Sequence, residues 1–146
     1  MPRKGITKMN VEGITPILNV SNIHESFAWF EKLGWERRWE WGERPDFGSV
    51  GSGKYEIFLC RDGQGSRGGP MPTFSGDENT GSVWMTWWVS SPAEVDAIHS
   101  LALENGMIVT QPPTDEDWNV REFHLRHPDG HTFRVSAGFG EEEEEE

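Results

Sequence analysis

The stretch ITPILNVSNIHESFAWFEKLG, Ile14 to Gly34, reads as a strand, a helix start, one amphipathic helix and a stop. Ile14 to Val20 alternates enough for a strand. Asn22 followed by Glu25 three residues on is the capping-box pattern, in which the Asn side chain accepts from a free backbone N–H of the first turn. Ile23, Phe27, Phe30 and Leu33 then recur at spacings of three to four, which places them on one helix face directed at a sheet. Gly34 supplies the residue that ends a helix without steric cost. Three short β-like runs follow, Trp35 to Trp41, Phe47 to Gly51 and Tyr55 to Arg61, separated by Gly- and Pro-containing turns. Residues 12–61 therefore form a β-α-β-β-β module.

Asp62 to Gly81 holds six glycines and two prolines and reads as a connection, the linker 62–81. After it the pattern restarts. Ser82 to Val89 is a strand; Ser91 caps a helix, Pro92 takes its first position and Glu94 completes the box. Val95, Ile98 and Ala102 give that helix its inner face, and Asn105-Gly106 stops it. Strands are expected at Met107 to Thr110, Val120 to Arg126 and His131 to Ala137, the last two joined by the turn His127-Pro-Asp-Gly130. Val20 and Val89 end the two opening strands, and Gly34 and Gly106 end the two helices. Residues 82–137 thus repeat the supersecondary unit of 12–61, although residue identity between the halves is nearly invisible. The expected fold class is α+β: two tandem βαβββ modules in one domain, residues 1–140, forming a cupped mixed sheet with the helices outside.

A chain of 146 residues suits one domain. The net charge is −12, half of it carried by Glu141 to Glu146, which are read as a disordered, solvated tail outside the domain. The remaining −6 and the lack of a basic stripe interleaved with aromatics argue against nucleic-acid binding and favour cationic small molecules. Cys60 stands alone within an apolar run and is expected to be an inert buried thiol, with no disulfide within the chain. No uncharged run is long enough to cross a bilayer, and no apolar region follows the basic residues at the start, so no membrane partner is expected and the cytoplasm is the default compartment.

Most catalytic patterns are missing. The Gly63 to Gly69 cluster runs into Pro70-Met-Pro72, which cannot open a phosphate-binding helix. There is no Gly-x-Ser-x-Gly elbow, and Cys60 has no base or helix N-terminus to activate it. Glu122 and His124 share a strand face by period two, with His127 and His131 near the following turn; polar residues facing a cavity explain this spacing without a metal. His24 and His99 sit on helices without a partner at ligand spacing and read as surface or boundary residues.

Three segments resemble the vicinal oxygen chelate (glyoxalase/bleomycin resistance/dioxygenase) superfamily, and within it the bleomycin-resistance-type binding proteins. They are Thr15 to Val20 running into Phe27 to Gly34, the aromatic strand Trp84 to Val89, and Trp118-Asn-Val-Arg-Glu-Phe123 leading to His127-Pro-Asp-Gly130. The last is similar to the family's W-G-x-R-E-F…D-P-D-G-N signature, with Asn119 for its Gly, His127 for its first Asp and His131 for its Asn. In metal-using members, the resemblance implies ligands at Thr15, Trp84 and Arg134, with Glu56 near the remaining position. A weak neutral donor, an indole and a guanidinium suit no divalent cation. No metal and no cofactor are therefore expected.

The resemblance further implies that Trp84 and Trp88 face the cup and that Trp39 and Trp118 stand near the ligand, with Glu122 available to a cationic group. The expected ligand-binding set is Trp39, Trp84, Trp88, Trp118, Glu122 and Arg134. The expected function is sequestration of a planar, cationic small molecule such as a bleomycin-type antibiotic, conferring resistance, by a homodimer. Two rivals stay open: a metal-dependent lyase, isomerase or dioxygenase in the same cup, and a regulatory or structural domain whose aromatics merely pack as core.

Overall fold

The computed structural model describes residues 5, 7–68 and 82–140. Part of the linker and the Glu141 to Glu146 run lie outside the described residues. The first half contains β1 (Ile17–Val20), α1 (Ile23–Glu31), β2 (Glu36–Trp41), β3 (Phe47–Ser52) and β4 (Tyr55–Arg61). The second contains β5 (Trp84–Trp88), α2 (Pro92–Glu104), β6 (Ile108–Glu116), β7 (Val120–Arg126) and β8 (Thr132–Gly138). Each half makes one four-stranded mixed sheet, ordered β1-β4-β3-β2 and β5-β8-β7-β6, in which the opening strand runs parallel to the closing strand and the other pairs are antiparallel. The class is α+β, and the two halves repeat one topology.

The helix ends follow their local chemistry. Asn22 Oδ1 accepts from the Glu25 N–H at 2.9 Å, and Ser91 Oγ accepts from the Glu94 N–H at 3.2 Å, each satisfying a donor that the helix leaves free. Ile23, Phe27 and Phe30 are buried as the periodicity expects, but so is Trp29, which the helical stripe omits. Its partners belong to the other half: its ring lies 4.8 Å from His127 and 5.7 Å from Phe133, centroid to centroid. Helix α1 therefore serves two sheets, packing one face on β2, β3 and β4 and a flank on the second half. Trp87 stacks on Phe133 at 4.3 Å and meets Trp35 at 4.9 Å, extending one aromatic core across both modules.

Strand limits depart from the periodicity in two places. The first strand begins at Ile17 rather than Ile14. Strand β6 runs on to Glu116, whereas Pro112 and Pro113 suggested a stop after Thr110. It is the outer strand of its sheet, where one of two successive N–H groups faces solvent, and the register shifts between Val109 and Gln111 and again before Thr114, leaving both prolines outside the ladder pairs. Cys60 is only partly buried, because it falls on the face of β4 turned away from the apolar core. Burial pushes its thiol up, Asp46 adds to this and Arg61 opposes it, so the thiol stays protonated.

Candidate functional site

Strand alternation sorts the second sheet into two faces. Phe123 and Leu125 of β7 are fully buried; Phe123 meets His99 of α2, and Arg121 reaches Asp96 of the same helix. The opposite face carries Glu122 and His124 of β7, Thr132, Arg134 and Ser136 of β8, and Trp84, Thr86 and Trp88 of β5. The register places Thr86 beside Arg134 and Arg134 beside His124, with Trp88 beside Ser136 and Ser136 beside Glu122. Trp118, in the turn before β7, approaches the Arg134 guanidinium at 5.9 Å from its ring centroid. The fold thus brings Trp84, Trp88, Trp118, Glu122 and Arg134 to one face. Trp88 and Trp118 are 67% and 58% exposed, so these rings are surface, separate from the packed core around Phe133.

At the centre of that face lies a polar network. Arg134 donates through Nε at 3.2 Å and through Nη2 at 2.9 Å to Glu122, a two-pronged pairing that fixes the guanidinium plane. Ser136 Oγ donates to Glu122 Oε1 at 2.9 Å, and His124 Nε2 stands 3.1 Å from Oε2. Burial alone would push the Glu122 carboxyl up. The hydrogen bonds from Arg134, His124 and Ser136 outweigh it and hold the group below its ordinary value. Glu122 is 1% exposed and both its oxygens are occupied, which differs from the sequence expectation of a carboxylate open to a cationic ligand. The physical reason is the neighbouring strand: a guanidinium at Arg134 and a hydroxyl at Ser136, on the same face, close over it. Trp84 meets His124 edge to face at 5.4 Å.

Trp39 is not part of this group. It lies on β2 of the first sheet, stacked on Phe47 at 5.6 Å and edge-on to Phe58 at 5.3 Å. A cleft of about 460 Å³ opens there, lined by Trp39, Trp41, Asp46, Phe47, Cys60 and Gln64. Asp46 is held by Arg61 at 2.6 Å. A second groove, of about 450 Å³, runs between the two halves, with Trp35, Met85 and Trp87 in its apolar wall and Trp88 and Glu56 also lining it.

The histidines of the last turn serve the seam between modules. His127 Nδ1 accepts from the Asp129 N–H at 2.9 Å, so its proton sits on Nε2 and donates to Ser26 Oγ of α1 at 2.9 Å. His131 Nδ1 accepts from the Val83 N–H at 3.3 Å while Nε2 donates to the Asn19 carbonyl of β1 at 2.7 Å. Asp129 Oδ2 accepts from the Ser21 N–H at 3.0 Å. Sequence reasoning grouped these histidines with Glu122 and His124 as near neighbours; the turn instead carries them to the first half. Their substitution for the Asp and Asn of the resembled signature was the visible trace of this role.

The donors at the positions implied for a metal do not fit one. Thr15, Trp84 and Arg134 offer a neutral hydroxyl, an indole and a fixed cation, leaving Glu56 as the single carboxylate. The register also separates Trp84, which pairs with Thr132, from Arg134, which pairs with Thr86; neither threonine improves the set. Among the described residues, no three His, Cys, Asp or Glu side chains converge on one point, and no described helix is long and apolar enough to cross a membrane.

A family model described as Glyoxalase/Bleomycin resistance protein/Dioxygenase superfamily matches residues 13–135. No curated protein matches the chain in sequence. Among solved structures, it is similar to a glyoxalase/bleomycin resistance protein/dioxygenase from Nocardioides, with a TM-score of 0.70 at 17% identity over 96% of this chain and 93% of that one. A bleomycin resistance determinant encoded on transposon Tn5 superposes with a TM-score of 0.64 at 15% identity, covering 88% of this chain and 98% of that one. A bleomycin-binding protein complexed with bleomycin gives 0.63 at 14% identity, over 88% of this chain and 99% of that one. At these identities the likeness is one of fold.

Proposed function

Starting from the fact that the chain belongs to the glyoxalase/bleomycin resistance protein/dioxygenase superfamily, we propose that it is a metal-independent binding protein that sequesters a planar small molecule of the bleomycin type against the aromatic face of its second sheet. The observation that carries this reading is the convergence of Trp84, Trp88, Trp118 and Arg134 on one face while the core takes a separate set of aromatics. A flat heteroaromatic gains about 0.5–1.5 kcal/mol per ring pair beyond simple area burial. The unsuitable donors at Thr15, Trp84 and Arg134 favour binding over metal chemistry. The net charge of −12 disfavours an anionic ligand at a distance, and Glu122, with both oxygens filled, offers no contact to a cation.

Exposed rings mark both sheets on a single chain, Trp39 and Trp41 on the first and Trp88 and Trp118 on the second. A homodimer in which these faces confront one another would enclose a ligand between them, and we include that assembly in the proposal. The test is a titration with bleomycin followed by intrinsic tryptophan fluorescence. Saturable quenching is expected, weakened about ten- to hundredfold, or roughly 1–3 kcal/mol, by Trp84→Ala and by Trp118→Ala. The ligand is expected back chemically unaltered. Turnover of the bound molecule overturns sequestration, and binding indifferent to both substitutions overturns the placement of the site.

A further inference from the structure

We infer that Arg134 is the specificity-determining residue of this face and that it reads a neutral carbonyl oxygen carried by a planar aromatic ligand. The inference rests on the binding reading above and adds the chemical class of the ligand's polar group. Its starting point is the division of labour within one guanidinium. Nε and Nη2 are spent on Glu122, at 3.2 Å and 2.9 Å. Nη1 makes no hydrogen bond among the described residues, and the side chain keeps 33% of its surface exposed. The guanidinium carbon lies 5.9 Å from the centroid of Trp118, an exposed ring. A ligand ring resting on that indole therefore has beside it a nitrogen with two N–H donors that the protein leaves unused and that Glu122 holds in a fixed plane.

Charge selects the kind of acceptor. The Glu122 carboxylate cancels the guanidinium charge at contact distance, and the chain as a whole is acidic, so the face has no net positive charge to repay an anion for its lost hydration. A cation meets the guanidinium, with the carboxylate behind it already filled by Arg134, His124 and Ser136. A carbonyl oxygen escapes both penalties. It is neutral, it accepts a hydrogen bond strengthened by the donor's charge, and as an amide or ketone conjugated with a ring it lies in the ring plane.

Four probes with one ring system separate the possibilities: 2-naphthamide, 2-methylnaphthalene, 2-naphthoate and 2-naphthylmethylammonium, each titrated against the full chain by tryptophan quenching. For the wild type, 2-naphthamide is expected to bind about tenfold more tightly than 2-methylnaphthalene and more tightly than either charged probe. In the double variant Glu122→Gln/Arg134→Met, which removes the pair without stranding a buried charge, the ratio of amide to methyl affinity is expected to fall close to one. Equal binding of amide and methyl probes by the wild type, or tightest binding of the carboxylate or the ammonium, overturns the inference while leaving an aromatic binding face standing. Quenching by none of the four overturns the binding face itself, and the inference with it. The wild-type series decides the matter even if the double variant does not fold.

Discussion

Arg134 lies flat along Glu122, its Nε and Nη2 directed at the two oxygens of a carboxylate that is 1% exposed. The two residues face each other diagonally across β7 and β8. Cutting the guanidinium away in Arg134→Ala strands a buried negative charge, with an expected cost of about 3–5 kcal/mol, whereas Glu122→Gln/Arg134→Met should cost less than the single substitution. Urea denaturation of the two variants and the wild type measures the difference. A milder effect for Arg134→Ala than for the double variant would show that the pair is not the unit described.

Acid should act first at the seam between the modules. Burial pushes His127 well below its ordinary value, with His131 beside it adding to the effect, and burial likewise lowers His131 against the raising influence of Asn19 and Asp129. Both are neutral in the folded chain, while in the unfolded chain they take up protons near pH 6.5, so the unfolded state binds more protons as pH falls. Stability is therefore full above that pH and is lost below it, at up to about 1.4 kcal/mol per pH unit for each histidine, until the depressed native values are reached. Glu122, whose native value is lowered, contributes its own loss only in the more acidic carboxylate range. Melting temperatures between pH 7.5 and 5.5 test the ordering, and a flat profile over that window would contradict it.

A methyl group at one turn position should be costly. Gly130 has φ +89°, and a Cβ built on it would stand 2.7 Å from the Gly68 backbone, whose N–H donates to the Asp129 carbonyl at 2.7 Å. Gly130→Ala is expected to lose about 1–3 kcal/mol through both the left-handed backbone and the clash. Gly53, also left-handed at φ +61° but with open space around its would-be Cβ, is the control. Thermal denaturation of the two alanine variants should rank Gly130→Ala as the more harmful.

Assembly gives a further expectation. Light scattering should report a particle near twice the 16.6 kDa chain mass, and Trp88→Glu, which replaces an exposed ring beside the groove between modules with a carboxylate, should shift the population towards single chains. A concentration-independent monomer in the wild type would mean that each aromatic face works alone.

Much of this architecture was legible in the sequence because the signals were local. Asn22 and Ser91 cap their helices through atoms within three residues, and the alternation of Trp84, Thr86 and Trp88 places all three on one face whatever the sheet does. The position of Trp118 beside Arg134 was less direct; resemblance put the indole near a ligand, but only the pairing of β7 with β8 shows which cation it meets. The closure of Glu122 is not legible locally, because it depends on Arg134 and Ser136, twelve and fourteen residues away on another strand. Trp29 and the histidines of the last turn share that difficulty: their partners lie about a hundred residues apart, where no periodicity in the chain can announce them. Trp39 joins the second-sheet tryptophans through the resemblance alone, and within one chain the division into two sheets sets it apart from them.

The prolines of β6 have one more consequence. At the outer rim of the second sheet, Pro112 and Pro113 offer no N–H, and the shifted register on either side of Gln111 breaks the straight row of carbonyls that an incoming strand would need. That rim is sealed against the sheet-to-sheet growth that leads to fibres, so an exposed aromatic surface can be kept a few strands away without the chain recruiting copies of itself edge to edge.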